Sequence, residues 1–374
     1  MEVKFFTPTR EYSEKKDEFD KAIQSVINSG SFIMGKEVTD FEDAIKKYTG
    51  AKYAISVASG TDALVIASDI LGFKDKKEVI TSPFTFLASA SCIAMHNAKP
   101  VFVDIDETTF NIDANKIEEK INPNTVGILP IHLFCQMSDM DKIMDLASKN
   151  NLRVLEDAAE AFGMRWKGSN GIVYKHSGTI GDMGIFSFFP TKTLGGYGDG
   201  GMIVTNDAKL AEMAKMFRVH GASKKYHYDY LGYNSRLDTI QAAVLSVKLK
   251  HLDKSIEKRL KVSNWYKKRL IDCEYVKIPG IKGEQKPVYY VFNILAESRD
   301  KLVAYLKQNN VGTSIYYPIP LHLQKCFNHL GYKEGDFPVA EKVSKEILAL
   351  PIYPEITEDE VDFVCTAIKN FYKK

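Results

Sequence analysis

Between residues 50 and 205, short apolar and β-branched runs alternate with stretches whose apolar residues recur every three or four positions. Such a pattern calls for a mostly parallel sheet covered by helices, because parallel strands need a crossover and a helix with one apolar face supplies it. The runs predict strands at Tyr53–Val57, Glu78–Ser82, Pro100–Val103, Thr125–Ile131, Arg153–Glu156, Gly184–Phe188 and Met202–Thr205. Helices are expected over Thr61–Leu71, Leu87–His96, Ala114–Lys120, Asp139–Asn150 and Ala208–Val219. Before this region, Phe19–Asn28 and Val38–Tyr48 have helical spacing. After it come two helical stretches, Leu237–Leu252 and Ser255–Leu270, then strands Val288–Leu295 and Val311–Ile315 and helices Asp300–Asn309, Phe337–Ile347 and Glu358–Tyr372. The expected fold class is α/β, with a large unit over residues 1–250 and a smaller C-terminal α+β unit over 251–374, a division natural for this length.

Charge and composition exclude several functions. The 374 residues carry 50 Lys and Arg against 48 Asp and Glu, a net charge of +2, so no basic arm for a nucleic acid is expected. No run of about 18 uncharged apolar residues occurs, and the opening MEVKFFTPTREYSEKKDEFD is too acidic for a signal peptide. The expected setting is the cytoplasm, away from membranes. Five widely spaced cysteines without a CxxC argue against a disulfide framework or a metal site and read as core thiols.

Three clusters carry chemistry. Ser187–Gly201 (SFFPTKTLGGYGDGG) surrounds Lys192 with glycines. Gly196, Gly198 and Gly201 match GxGxxG, but they lead into a strand, whereas a dinucleotide fingerprint follows a strand and opens a helix. The glycines are expected to let backbone pass close to a ligand near Lys192. Glu156, Asp157 and Glu160 lie at the carboxyl end of a predicted strand, where open α/β sheets bind ligands. Ser59-Gly60-Thr61-Asp62 opens a helix, whose unpaired first-turn N–H groups and dipole suit a phosphate. A lysine, a carboxylate and a phosphate cradle on separate strand ends are the three contacts that pyridoxal 5′-phosphate requires.

With these residues in place, the chain resembles the DegT-type sugar aminotransferases, enzymes of the aspartate aminotransferase fold (fold type I) that use pyridoxal 5′-phosphate. Further landmarks are Gly30–Gly35, Thr85-Phe86, Val103–Asp106, Asn111–Asp113, Ile131–Phe134, Gly232–Arg236, Tyr317–His322 and Leu350–Pro354. The resemblance implies that Lys192 carries the cofactor as a Schiff base and that Asp157 pairs with its ring nitrogen. It places Ser59, Gly60, Thr61 and Ser187 at the phosphate and stacks Phe86 on the ring. Asn234 would reach in from the neighbouring subunit of a homodimer with shared active sites. Glu160 stands where many relatives carry glutamine beside the ring hydroxyl, and a carboxylate donates no hydrogen bond unless protonated. The loop from Tyr317 to His322 faces the sugar in the family, which makes both residues candidate substrate contacts. Arg236 suits a bidentate anion contact or an interface ion pair. His132 is either a core imidazole or a site residue, and Arg165–Ser177, longer than the usual connection, is expected to be a surface loop. Burial beside a cationic ring is expected to lower the Lys192 pKa. The implied activity moves an amino group from L-glutamate to a nucleotide-linked keto-sugar, a dTDP-linked 3-keto- or 4-keto-6-deoxyhexose. A keto-cyclitol aminotransferase and a non-catalytic regulator on the same fold are the alternatives.

Overall fold

The computed structural model describes residues 1–168 and 174–373. Its centre is a seven-stranded sheet of β1 (Tyr53–Val57), β2 (Glu78–Thr81), β3 (Lys99–Phe102), β4 (Thr125–Ile128), β5 (Arg153–Asp157), β6 (Met183–Ser187) and β7 (Gly201–Thr205). The order is β1-β7-β6-β5-β4-β2-β3. Only β7 runs against its neighbours, pairing antiparallel with β1 and β6, while the other pairs are parallel. All seven expected strands are therefore present in one mostly parallel sheet. Helices cover both faces, which is why the strands are near-continuous apolar runs. On one face lie α3 (Gly60–Ile70), α4 (Ala88–Ala94) and α6 (Ala208–Phe217), packed on Ile55, Leu155 and Ile185. On the other lie α2 (Lys36–Thr49), α5 (Met140–Asn150) and α7 (Thr239–Leu270), packed on Ala54, Val154 and Phe186. The helix α1 (Lys16–Ser29) rests on α7 through Phe19, Val244 and Val247.

A separate apolar cluster holds the C-terminal part together, with Tyr266, Phe292, Ile294, Leu302, Leu350 and Val361 at its centre. Its sheet is β8 (Val276–Lys277), β9 (Phe292–Ala296) and β10 (Ile347–Leu350) in the order given.

Several local expectations are corrected. The two helices expected over 237–270 are one helix of 32 residues, because no Pro or Gly interrupts them and Asp253 points outward to the Tyr48 hydroxyl at 2.7 Å. The helix expected at Ala114–Lys120 shrinks to a single 3₁₀ turn, Glu118–Lys120; Asp113 accepts the Asn115 N–H at 3.0 Å and draws the chain into a local turn instead. Val311–Ile315 is no strand, since Val311 bridges Val3 and Ser314 bridges Ala349. Ile347, expected to end a helix, opens β10. The expected loop at Arg165–Ser177 is a hairpin of Arg165–Lys167 on Tyr174–His176, extended by Gln285–Lys286, with residues 169–173 outside the described residues. Among the thiols, Cys92, Cys273 and Cys365 are buried but Cys326 is exposed. No helix among the described residues is long and apolar enough to cross a membrane.

Candidate active site

Register brings the sequence clusters together. Gly201, the first residue of β7, pairs with Val57 at the end of β1 and with Ser187 at the end of β6, and Asp157 ends β5 beside Ile185. The carboxyl ends of three strands thus share one edge of the sheet, and the loops that leave them hold the chemistry. Ser59 caps α3, its hydroxyl accepting the Asp62 N–H at 3.0 Å. Helical first-turn N–H groups have no partner inside their own helix, so Gly60 and Thr61 bring donors to this edge. The space a Cβ would need at Gly60 lies 2.6 Å from Ser187 Cβ, and at Gly201 it lies 2.2 Å from the Ser59 carbonyl oxygen. Glycine is required at both for α3 to start against β6 and β7. Side-chain space at Gly196 and Gly198 is filled by Gln241, so these glycines serve close packing of chain on chain, which corrects the expectation of a ligand there.

The edge opens into a cavity with about 1130 Å³ of empty space, lined by Ser59, Gly60, Thr61, Phe86, Asp157, Glu160, Ser187, Lys192 and Tyr317 among others. Asp157, 4% exposed, accepts the Ser89 hydroxyl at 2.7 Å and the Ala159 N–H at 3.1 Å. Burial pushes its carboxyl above the usual aspartate range, only partly offset by those bonds and by Lys192. Lys192 Nζ lies 3.4 Å from Glu160 Oε1 and 4.2 Å from the centroid of the Tyr290 ring. Burial works against the ammonium, but the Glu160 carboxylate, Tyr290 and Asp157 outweigh it and hold the amine above the ordinary lysine value. In this state the expected lowering of the Lys192 pKa is thus reversed, because the carboxylates face the amine with no opposing cation among the described lining residues. Phe86 is 58% exposed, its ring centroid 6.4 Å from that of Tyr317.

Four residues singled out in the sequence are not in this cavity. His322 is buried, donating to or accepting from Glu341 Oε1 at 3.0 Å and packed edge-on to Phe337. Its role is to hold the loop from below, which corrects its reading as a substrate contact. Asn234 is exposed and accepts a hydrogen bond from Arg236, both away from their own chain's cavity. His132 is a core imidazole: its Nδ1 accepts the Ser138 N–H at 3.1 Å, which leaves Nε2–H to donate to Glu156 at 2.9 Å. Residues that the sequence reading missed are Ser89, linked through Thr85 at 2.9 Å to the site wall, and Tyr290, bonded to Thr191 at 3.1 Å. The four-residue spacing of Thr85 and Ser89 was the only available signal for the first pair, and nothing local marked Tyr290.

Comparison with known proteins matches this geometry. The model of the DegT/DnrJ/EryC1/StrS aminotransferase family covers residues 13–369. A "pleiotropic regulatory protein" of Geobacillus stearothermophilus is 44% identical over 100% of this chain and 99% of its own length. A dTDP-3-amino-3,6-dideoxy-alpha-D-galactopyranose transaminase of Aneurinibacillus thermoaerophilus is 40% identical, covering 95% of each chain. A UDP-2-acetamido-2-deoxy-3-oxo-D-glucuronate aminotransferase of Pseudomonas aeruginosa is 38% identical over 98% of this chain and 100% of its own. Among solved structures, DesV of S. venezuelae in complex with a ketimine intermediate superposes with a TM-score of 0.95 at 34% identity, covering 100% of this chain and 99% of that one. NtdA of Bacillus subtilis with bound cofactor PMP superposes at 0.87 and 30% identity, covering 99% and 83%. With a family match along nearly its whole length and the lysine and aspartate facing one cavity, this chain belongs to the DegT/DnrJ/EryC1/StrS aminotransferase family and is an aminotransferase.

Proposed function

We propose that this chain moves an amino group from L-glutamate to a nucleotide-linked keto-sugar, with pyridoxal 5′-phosphate as cofactor, as a cytoplasmic homodimer with shared active sites. The observation that carries the reading is the meeting of Lys192, Asp157 and the start of α3 in one cavity. The donor set fits that cofactor: an amine for its aldehyde, helix N–H groups for its phosphate, and a buried carboxylate whose charge lacks a full counterpart until a cationic ring nitrogen arrives. When bound, the cofactor supplies an electron-withdrawing ring that can take up an amino group and pass it on.

The chain's own residues then have defined tasks. Asp157, fixed by Ser89 and Ala159, would keep the ring nitrogen charged. Gly60, Thr61 and Ser187 would hold the phosphate at the start of α3, and Phe86, which lines the same cavity, would offer its flat face to the ring. Lys192 Nζ would hold the cofactor by its aldehyde carbon and, as a free amine, would take the proton from the donor's α-carbon. Asn234 and Arg236 lie on a loop bearing Leu231, 96% exposed, and Tyr226, 76% exposed; such apolar residues need cover, which supports their presentation to a second copy. The apolar cluster around Tyr266 supports a division into a cofactor-binding unit, residues 1–250, and a smaller unit, 251–374, joined through the middle of α7.

As acceptor we favour a dTDP-linked 3-keto- or 4-keto-6-deoxyhexose, and the 3-amino and 3-oxo sugars in the relatives' names support amination at C3. A keto-cyclitol would leave every cofactor residue unchanged. The test is direct: the purified protein should absorb in the visible, the band should shift on addition of L-glutamate, and a panel of nucleotide keto-sugars should yield one amine identified by mass spectrometry and NMR. A colourless protein that L-glutamate leaves unchanged would overturn the proposal in favour of a regulator.

A further inference from the structure

The tasks assigned above leave Glu160 without a role. It is 6% exposed, and each of its oxygens is engaged. Oε1 lies 3.4 Å from Lys192 Nζ and accepts the Tyr317 hydroxyl at 3.1 Å, while Oε2 accepts the Phe134 N–H at 3.2 Å. The Tyr317 hydroxyl keeps its proton, because burial and the Glu160 charge push its pKa well above the ordinary tyrosine value. It is therefore a donor to Glu160 and no competitor for the proton on Lys192. On the other side of the amine stands the ring of Tyr290, with Asp157 and Tyr316 further along the same wall. Lys192 is the one cation lining this cavity among the described residues. The other charged residues of this cavity, Asp157, Glu160 and Asp199, are all acids; a smaller cleft behind Lys192 holds Lys248 and Arg259, with Glu11 and Glu355 beside them.

We propose that Glu160 is a positioning residue that holds Lys192 as an ammonium in the cofactor-free chain and so governs how readily the amine bonds to the cofactor's aldehyde carbon. The inference rests on the reading of Lys192 as the attachment point. Only the neutral amine has a lone pair for the attack. One proton must first leave Nζ for solvent or for Glu160; the nitrogen then bonds to carbon, and its two remaining hydrogens depart with the aldehyde oxygen as water. Glu160 Oε1, 3.4 Å from Nζ, is the nearest acceptor for that first proton and keeps it on nitrogen. A glutamine at this position would retain the size and lose the charge, releasing the proton at lower pH.

The experiment uses the full chain freed of cofactor, as wild type, Glu160→Gln and Tyr317→Phe. Two rates are followed from about pH 6 to about pH 10: labelling of Lys192 by trinitrobenzenesulfonate, located by peptide mass spectrometry, and the absorbance change after mixing with pyridoxal 5′-phosphate. In the wild type both rates should still be climbing at the alkaline end. Glu160→Gln should move both curves to lower pH, and a displacement of about one pH unit should make each rate roughly tenfold faster near neutrality. Tyr317→Phe leaves Glu160 Oε1 to Lys192 alone and should not move them to lower pH. Coincident curves for wild type and Glu160→Gln, or an equal downward move in Tyr317→Phe, would overturn the proposal. Should Glu160→Gln fail to fold, Glu160→Asp, which draws the charge back by one methylene, should give a smaller move in the same direction, and no move would be equally fatal. If labelling moves as stated but the wild type takes up no pyridoxal 5′-phosphate, the cofactor reading fails and the coupling of Glu160 to Lys192 stands. Uptake with coincident curves sinks the coupling alone.

Discussion

Glu156 is fully buried and is the acceptor for four donors: His132 Nε2 at 2.9 Å, Gly178 N–H at 2.8 Å, and the Ile180 and Gly181 N–H groups at 2.6 Å each. It ties β5 to the turn that starts β6, and so sets the spacing between Asp157 and Ser187. Replacing it with glutamine keeps the shape but turns one acceptor into an NH₂ that faces two N–H groups. Two charge-assisted bonds are lost at about 1.5–3 kcal/mol each. Against a total stability of about 5–15 kcal/mol, Glu156→Gln should greatly lower the guanidinium midpoint of the cofactor-free chain, followed by far-UV circular dichroism. The pH dependence checks the cause. Burial alone would raise the Glu156 pKa, but the His132 hydrogen bond and the Gly181 and Ile180 N–H groups bring it below the usual glutamate range. A carboxyl with a lowered pKa in the fold adds stability that is complete above its unfolded value, about 4.3, and is lost as pH falls through the folded value. The gap between wild type and variant should therefore close in acid. A loss under about 1 kcal/mol at neutral pH, an ordinary substitution's effect, or a gap that persists in acid would refute the reasoning.

Three further outcomes are expected. Lys192→Arg should cut turnover about a thousandfold or more while leaving circular dichroism and melting unchanged, measured by coupled assay of L-glutamate consumption. Asp157→Asn should lose activity yet raise the cofactor-free chain's stability by about 1 kcal/mol, because a carboxyl with a raised pKa costs the fold its ionised form; for the same reason wild-type stability should rise as pH falls from neutrality toward that pKa, and a fall over that range would contradict it. His322→Ala should destabilise by about 1–3 kcal/mol through the lost bond to the Glu341 carboxylate without altering the KM for the sugar nucleotide; a large KM change with intact stability would return His322 to the substrate.

All seven strands of the main sheet were legible in the sequence, because a strand buried on both faces leaves an apolar run that stands out from its neighbours. Ser59-Gly60-Thr61 and Asp157 were legible for a related reason: caps and strand ends are local features. The hairpin beginning at Arg165 and β10 were not, since strands of three or four residues leave too short a period to read. His322 misled because its neighbours marked the loop correctly, while the direction of its side chain was decided by Glu341 and Phe337 from a later helix and its approach. The residue types themselves determined that an amine, a carboxylate and a helix start lie at the ends of strands. Only the antiparallel β7 and its register decided that these ends meet in one cavity, and only packing decided that Glu160 and Tyr317 turn toward Lys192. The charge state of Lys192 shows the division most plainly: burial, foreseeable from an apolar setting, favours the neutral amine, and the acids brought around it by the tertiary structure reverse the outcome.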